Sequence, residues 1–329
     1  MLKYKLSTSQ SFELQNNLLE IKVNPYRDYL AFKNAIAQFI HEGKIPRDLY
    51  EFVFCTRAID QREEPIIFIE GLPVDPDLPN FDNKNPVEEK RSLKNTFVTE
   101  GILEFFAQIR GEKPIGYLNV NQGDVFQDIF PMEELYNSQS QKALNDIFFH
   151  KDLANHFVRP DWVNIICIRN DIENMIVTCF TKNIDVLKNF SYEEKLELSK
   201  PQFYTPYDDL STYHSLVKLG DAQLHPILTD PNGIDIRFFE NRTVSTNEKG
   251  KILIEKLIKL LHENKCCIHL RTGDLIATQN NFSIHCKQIL KMNNLEGARK
   301  RWMMKTVNVD DYKRISQYTV KDKEYLING

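Results

Sequence analysis

Short runs of β-branched and aromatic residues, punctuated by Gly, Pro and Asp, constrain this chain most. The stretches 65–73, 115–120, 160–171, 175–180, 234–239, 266–270, 275–278 and 301–309 share this character. Such residues suit a pleated surface buried on at least one side. Several strands with little helix between them signal an antiparallel β architecture. Apolar residues at helical spacing mark supports that cover a sheet: 26–42 (Tyr29, Phe32, Ile36, Phe39, Ile40, stopped by Gly43 and Pro46), 87–110 (Leu93, Phe97, Ile102, Phe105, Phe106, Ile109) and 250–264 (Ile252, Leu253, Leu257, Leu260, Leu261). The stretch 133–145 reads as a polar helix, 185–198 as helical again, and 51–55 as a helix or a strand end. Residues 204–222 are polar, aromatic-rich and poorly periodic, the composition of a loop that closes over a site or of a plain surface excursion.

The length of 329 residues fits one large β domain with insertions. The expected organisation is a single domain over 1–329, with a helical N-terminal support over about 1–110 and a lid-like insertion over about 204–250. A net charge of -4 and a pI near 6.1 give no electrostatic footprint for nucleic acid or an anionic membrane, which favours a small-molecule partner. No basic-then-apolar leader opens the chain, and no apolar run reaches the roughly 18 residues a span requires, so the expected location is cytoplasmic. Self-association stays open. The six cysteines, Cys55, Cys167, Cys179, Cys266, Cys267 and Cys286, lack CxxC spacing and read as buried free thiols. Asn-x-Ser/Thr matches at Asn189, Asn241 and Asn281 would matter only in a secreted protein.

The stretch Phe148-Phe149-His150-Lys151-Asp152 carries the chemistry. Side chains alternate faces on an extended segment, so His150 and Asp152 point one way and Lys151 the other. Two histidines and one carboxylate on one face of an ion make the ligand set of a non-haem Fe(II) oxygenase, with positions left for cosubstrate and oxygen. Alone the motif is weak, because eight histidines in an acidic chain produce His-x-Asp/Glu about once by chance. Earlier, Gln127, with Asp124 and Asp128 in an apolar frame, is either loop chemistry or a substrate contact.

The order of motifs gives the pair its weight. Gly71-Leu72-Pro73 precedes Phe126-Gln127-Asp128-Ile129-Phe130-Pro131, His150-x-Asp152, Arg159-Pro160-Asp161 and Cys167-Ile168-Arg169-Asn170-Asp171. A helix, Gly273-Asp274-Leu275-Ile276, Asn280, His285 and Arg301-Trp302 follow. From about 70 to about 309 this resembles the clavaminate synthase-like family, Fe(II)/2-oxoglutarate oxygenases of the taurine dioxygenase-like superfamily.

The resemblance implies a mainly β fold with flanking helices around a double-stranded β-helix (jelly roll). It implies His150, Asp152 and His285 as the metal ligands and catalytic centre. Arg301 would fork onto the distal carboxylate of 2-oxoglutarate, with Arg299 as an alternative anchor and Thr178 as a further cosubstrate contact. Relatives often carry Gly-Arg-Thr or Ala-Arg-Thr where Cys286-Lys287-Gln288 follows His285. Lys305 stands where relatives often have a second arginine for the substrate carboxylate. A carboxylate at Asp152 argues against a halogenase, which has a small residue there, and His-x-Asp lacks the helical general base of zinc proteases.

The implied reaction is hydroxylation of an unactivated C–H bond of a free basic L-amino acid, using Fe(II), 2-oxoglutarate and O2 and releasing succinate and CO2. L-Lysine is expected over L-arginine, and C4 over C3. Gln127 is the candidate for the α-amino end, and Asp235 and Glu240 for a cationic side chain, which needs a counter-charge when buried. Arginine or a carrier-bound residue is the alternative substrate, and a catalytically silent ligand-binding jelly roll the alternative of another class.

Overall fold

The computed structural model describes residues 1–206 and 223–328. In chain order its strands are β1 (Leu2–Lys5), β2 (Ile66–Glu70), β3 (Lys113–Tyr117), β4 (Gln127–Ile129), β5 (Ile147–His150), β6 (Trp162–Arg169), β7 (Met175–Lys182), β8 (Phe203–Tyr204), β9 (Val244–Ser245), β10 (Cys266–Ile268), β11 (Leu275–Gln279), β12 (Ser283–Lys291), β13 (Trp302–Val309), β14 (Thr319–Val320) and β15 (Lys323–Ile327). A nine-stranded sheet runs β1-β2-β11-β6-β13-β3-β15-β14, with β4 also paired to β13. A four-stranded antiparallel sheet, β10-β7-β12-β5, faces it.

Strict alternation explains why these strands read as nearly continuous apolar runs: both faces are covered. Ile66 and Phe68 of β2, Cys167 of β6, Ile276 of β11 and Met303 of β13 meet Phe180 of β7 between the sheets. Ile67, Ile69, Ile166, Leu275 and Met304 point the other way, into the core under the N-terminal helices. Helices Thr8–Leu19, Tyr29–His41, Arg47–Cys55 and Val98–Arg110 supply Leu14, Phe32, Ile36, Val53, Ile102 and Phe106 to that core. Burial of each such side chain contributes about 2 kcal/mol, so the apolar stripes hold these helices in place. Helix Glu248–Glu263 covers the outer face of the smaller sheet, packing Leu253, Leu257 and Leu261 on Val177 and Ile284. The jelly-roll expectation matches this architecture, and residues 47–55 resolve as helix.

Several expected elements differ. The stretch 87–110 is two helices, Pro86–Leu93 and Val98–Arg110. The break is fixed from a distance: the Asp75 carboxylate accepts from the backbone N–H groups of Val98 (3.0 Å) and Thr99 (3.2 Å) and pairs with Lys94 at 2.9 Å, capping the second helix. Residues 133–145 form turns around the short 3₁₀ segment Glu133–Leu135, because they carry no apolar stripe and Ser138 bonds its hydroxyl to the Leu135 carbonyl (2.8 Å). The stretch 185–198 divides into Asn183–Leu187 and Tyr192–Leu198, the second restarted by a Ser191/Glu194 capping box. Residues 234–239 make single bridges, Leu228 to Ile236 and His150 to Phe239, instead of a strand. The edge strands β1, β14 and β15 add to the elements expected from the sequence.

Cys179 and Cys267 lie directly opposite one another on β7 and β10 and form a disulfide, so the all-free-thiol expectation fails for this pair. Cys167 and Cys286 are free and buried as expected, whereas Cys55 and Cys266 are free but exposed. The loop at 204–222 falls largely on 207–222, outside the described residues. The described flanks of the stretch 204–250 are joined, by β8 pairing with β9 and by Thr205 hydrogen-bonding His225 and Thr243 (2.8 Å each). Among the described residues no helix is long and apolar enough to cross a membrane.

Candidate metal centre

His150 ends β5, and His285 sits directly opposite it on β12. That register places the imidazoles side by side, with centroids 4.5 Å apart. Asp152, two residues beyond His150, brings Oδ1 to 3.4 Å from His150 Nε2 and 3.7 Å from His285 Nε2. The three donor atoms lie within 4.8 Å of one another, close enough for one ion to touch all three. His150 Nδ1 bonds the Phe148 carbonyl at 2.8 Å, which puts the ring proton on Nδ1 and leaves Nε2 free to ligate. Phe239 stacks on the same ring at 5.1 Å.

The backbone of Asp152 is held by Asn280, which accepts its N–H (3.1 Å) and donates to the Asp152 and Pro160 carbonyls (3.2 and 2.9 Å). Lys305 donates to Asp152 Oδ2 at 2.8 Å, so Oδ1 is left facing the imidazoles. Burial opposes ionisation of Asp152, but the Lys305 ammonium and both imidazoles outweigh it and hold the carboxyl well below the usual range. Burial, reinforced by His150, pushes His285 down to about 3. A carboxylate beside two neutral imidazoles is the donor set that suits Fe(II). Lys151 points the opposite way, donating to Asp235 and to Asn281 Oδ1 (2.7 Å).

The triad opens onto a cleft between the sheets, lined also by Thr178, Lys287, Arg301 and Lys305. Arg301 is buried and its Nε has no hydrogen-bond partner among the described residues. Arg299 lies outside this lining, over the Tyr136 ring at 5.8 Å. Gln127 pairs with Lys305 in the β4–β13 register, so it shares that strand face, and its buried Nε2 is without a partner.

The two carboxylates nominated for a cationic side chain lie elsewhere. Asp235 is engaged by Lys151, and Glu240 accepts from the Phe149 N–H (3.1 Å) and bonds His262 Nε2 (2.8 Å). Neither belongs to the cleft lining. Sequence reasoning gave no role to Lys287, although counting by twos from His285 along an extended strand places it on the same inward face.

Facing strands of a jelly roll thus present two histidines and one carboxylate to one cleft, the donor set that suits a non-haem Fe(II) centre. The chain is similar to clavaminate synthase-like proteins. It is 25% identical over 180 residues to clavaminate synthase 2 of Streptomyces clavuligerus, covering 48% of this chain and 52% of that protein. It is 23% identical over 265 residues to L-asparagine oxygenase of Streptomyces coelicolor, covering 78% and 74%. The first match thus spans about half the length of its relative. A solved asparagine oxygenase, in complex with Fe(II), 2S,3S-3-hydroxyasparagine and succinate, superposes with a TM-score of 0.84 at 20% identity over 100% of both chains. The non-haem iron oxygenase OrfP, in complex with Fe, succinate and (3S)-hydroxy-L-Arg, gives 0.81 at 15% over 100% of both. These last two likenesses are of fold. No protein-family model matches the chain.

Proposed function

We propose that this protein is an Fe(II)/2-oxoglutarate-dependent hydroxylase of a free amino acid. The observation that carries the reading is the convergence of His150, Asp152 and His285 on one cleft that also contains the buried Arg301, whose Nε is unpartnered. With Fe(II), 2-oxoglutarate and O2 bound, such a centre supplies the oxidising power to insert one oxygen atom into an unactivated C–H bond, 2-oxoglutarate leaving as succinate and CO2.

The chain's own residues would perform the rest. His150 and His285 give neutral nitrogen donors, and Asp152 gives one oxygen while Lys305 occupies the other. Arg301, a rigid planar fork, is matched to a carboxylate, and Thr178 offers a hydroxyl in the same cleft. Gln127, on the Lys305 face, is the proposed contact for the amino-acid head group. Enclosure between the sheets keeps the target C–H bond near the metal and limits water.

L-Lysine, attacked at C4, is the substrate to test first, with L-arginine and L-asparagine beside it. Asp235 and Glu240 are not carried forward as its counter-charges, since Lys151 and His262 already hold them. Anaerobically loaded protein, exposed to O2 with 2-oxoglutarate and each free amino acid in turn, should yield succinate together with a product one oxygen heavier. Failure of every free amino acid to turn over would overturn the reading.

A further inference from the structure

The cleft is lined by a second basic side chain besides Arg301, Lys287. Arg301 enters at the head of β13 in the larger sheet, and Lys287 from the inward face of β12 in the smaller one. Thr178 stands opposite Lys287 in the β7–β12 register and lines the same space. Lys287 Nζ donates to the Ala143 carbonyl at 2.7 Å. Neither Lys287 nor Arg301 is ion-paired with a carboxylate among the described residues, whereas the cleft's own acid, Asp152, is taken by Lys305 at 2.8 Å. Two buried basic side chains repel when both carry charge, and each gives up hydration. The arrangement becomes favourable once an anion with two oxygens lies between them.

We propose that Lys287 and Arg301 together seat the distal carboxylate of 2-oxoglutarate. Arg301 supplies the planar fork from one sheet, Lys287 a point charge from the other, and the Thr178 hydroxyl a neutral donor between them. Lys287 is then the residue that makes the cleft select a dicarboxylic 2-oxo acid over a monocarboxylic one. The inference rests on the iron-centre reading above. A lysine that merely tied the Ala143 segment to β12 would show no such selectivity.

The test is an anaerobic titration of the Fe(II)-loaded protein with 2-oxoglutarate, following the visible charge-transfer absorption, with 2-oxopentanoate as the five-carbon probe that lacks the distal carboxylate. Loss of one charged hydrogen bond corresponds to about tenfold to a hundredfold in affinity. Lys287→Gln and Lys287→Met should therefore weaken 2-oxoglutarate by at least about tenfold and leave 2-oxopentanoate binding unchanged, while Lys287→Arg restores most of the loss. Removing one of two neighbouring like charges should also keep or raise the melting temperature of the ligand-free protein. Equal weakening of both 2-oxo acids, or wild-type affinity for 2-oxoglutarate in both neutral variants, would overturn the assignment. If the wild type itself gives no 2-oxoglutarate-dependent absorption, the iron-centre reading falls and takes this one with it.

Discussion

Three consecutive residues, His150, Lys151 and Asp152, divide the labour between two faces of one extended segment. The outer two meet His285, and Lys151 anchors the chain to Asp235 and Asn281. His150, Asp152, His285, Arg301, Thr178 and Lys305 were legible because their spacing and order are local or sequential properties, and the structure brings all six to one cleft. That Asp235 and Glu240 are already partnered, by Lys151 and His262, was not legible, because tertiary packing decides whether an acid has a partner and composition does not encode that. Lys305 stood in the sequence as a substrate contact, yet here it fixes the unused oxygen of Asp152. Outer partners of metal ligands typically govern affinity by about tenfold to a hundredfold. Lys305→Met should accordingly weaken Fe(II) binding by about tenfold in an anaerobic calorimetric titration, and an unchanged affinity would remove the orienting role.

Among the elements, the turn before β11 ties together two motifs that looked unrelated in sequence. Gly273 has φ +87° and lies against the Gly71-Leu72-Pro73 segment, where a Cβ would stand 2.2 Å from the Leu72 carbonyl oxygen. Its own carbonyl accepts from the Leu72 N–H (2.9 Å) and its N–H donates to the Cys167 carbonyl (2.8 Å). An L side chain there has both a left-handed backbone cost and a backbone collision to relieve. Gly273→Ala should lower unfolding free energy by about 2 kcal/mol or more in urea titrations, and a loss below about 0.5 kcal/mol would show that the turn can relax. The helix break at 94–97 was not legible, since the apolar stripe runs through it and the capping Asp75 lies some twenty residues upstream. The stretch 133–145 misled for the opposite reason: it had helix-forming residues and no face to bury.

For the molecule as a whole, apolar alternation was enough to indicate two covered sheets, while parallel closure by β1 and β15 depended on chain ends that carry little signal. Acid sensitivity is a property of this scale, because burial keeps several imidazoles neutral. His156 and His225 are both pushed down to about 4, mainly by burial. The stability this gives is fully present above the ordinary imidazole value near 6.5 and is lost as pH falls towards 4. Each histidine adds a slope of about 1.4 kcal/mol per pH unit over that window. Urea midpoints of the metal-free protein should fall as pH drops through this range, and His225→Asn should flatten the curve by one proton's worth. An unaltered slope would count against that assignment. The Cys179–Cys267 bond bears on another large-scale property. β10 is the rim of the smaller sheet and contributes only a three-residue ladder to β7. A ladder so short offers few hydrogen bonds to keep a rim strand from fraying. The covalent rivet closes that route, and a thiol reductant would therefore loosen the rim of the smaller sheet as well as break one bond.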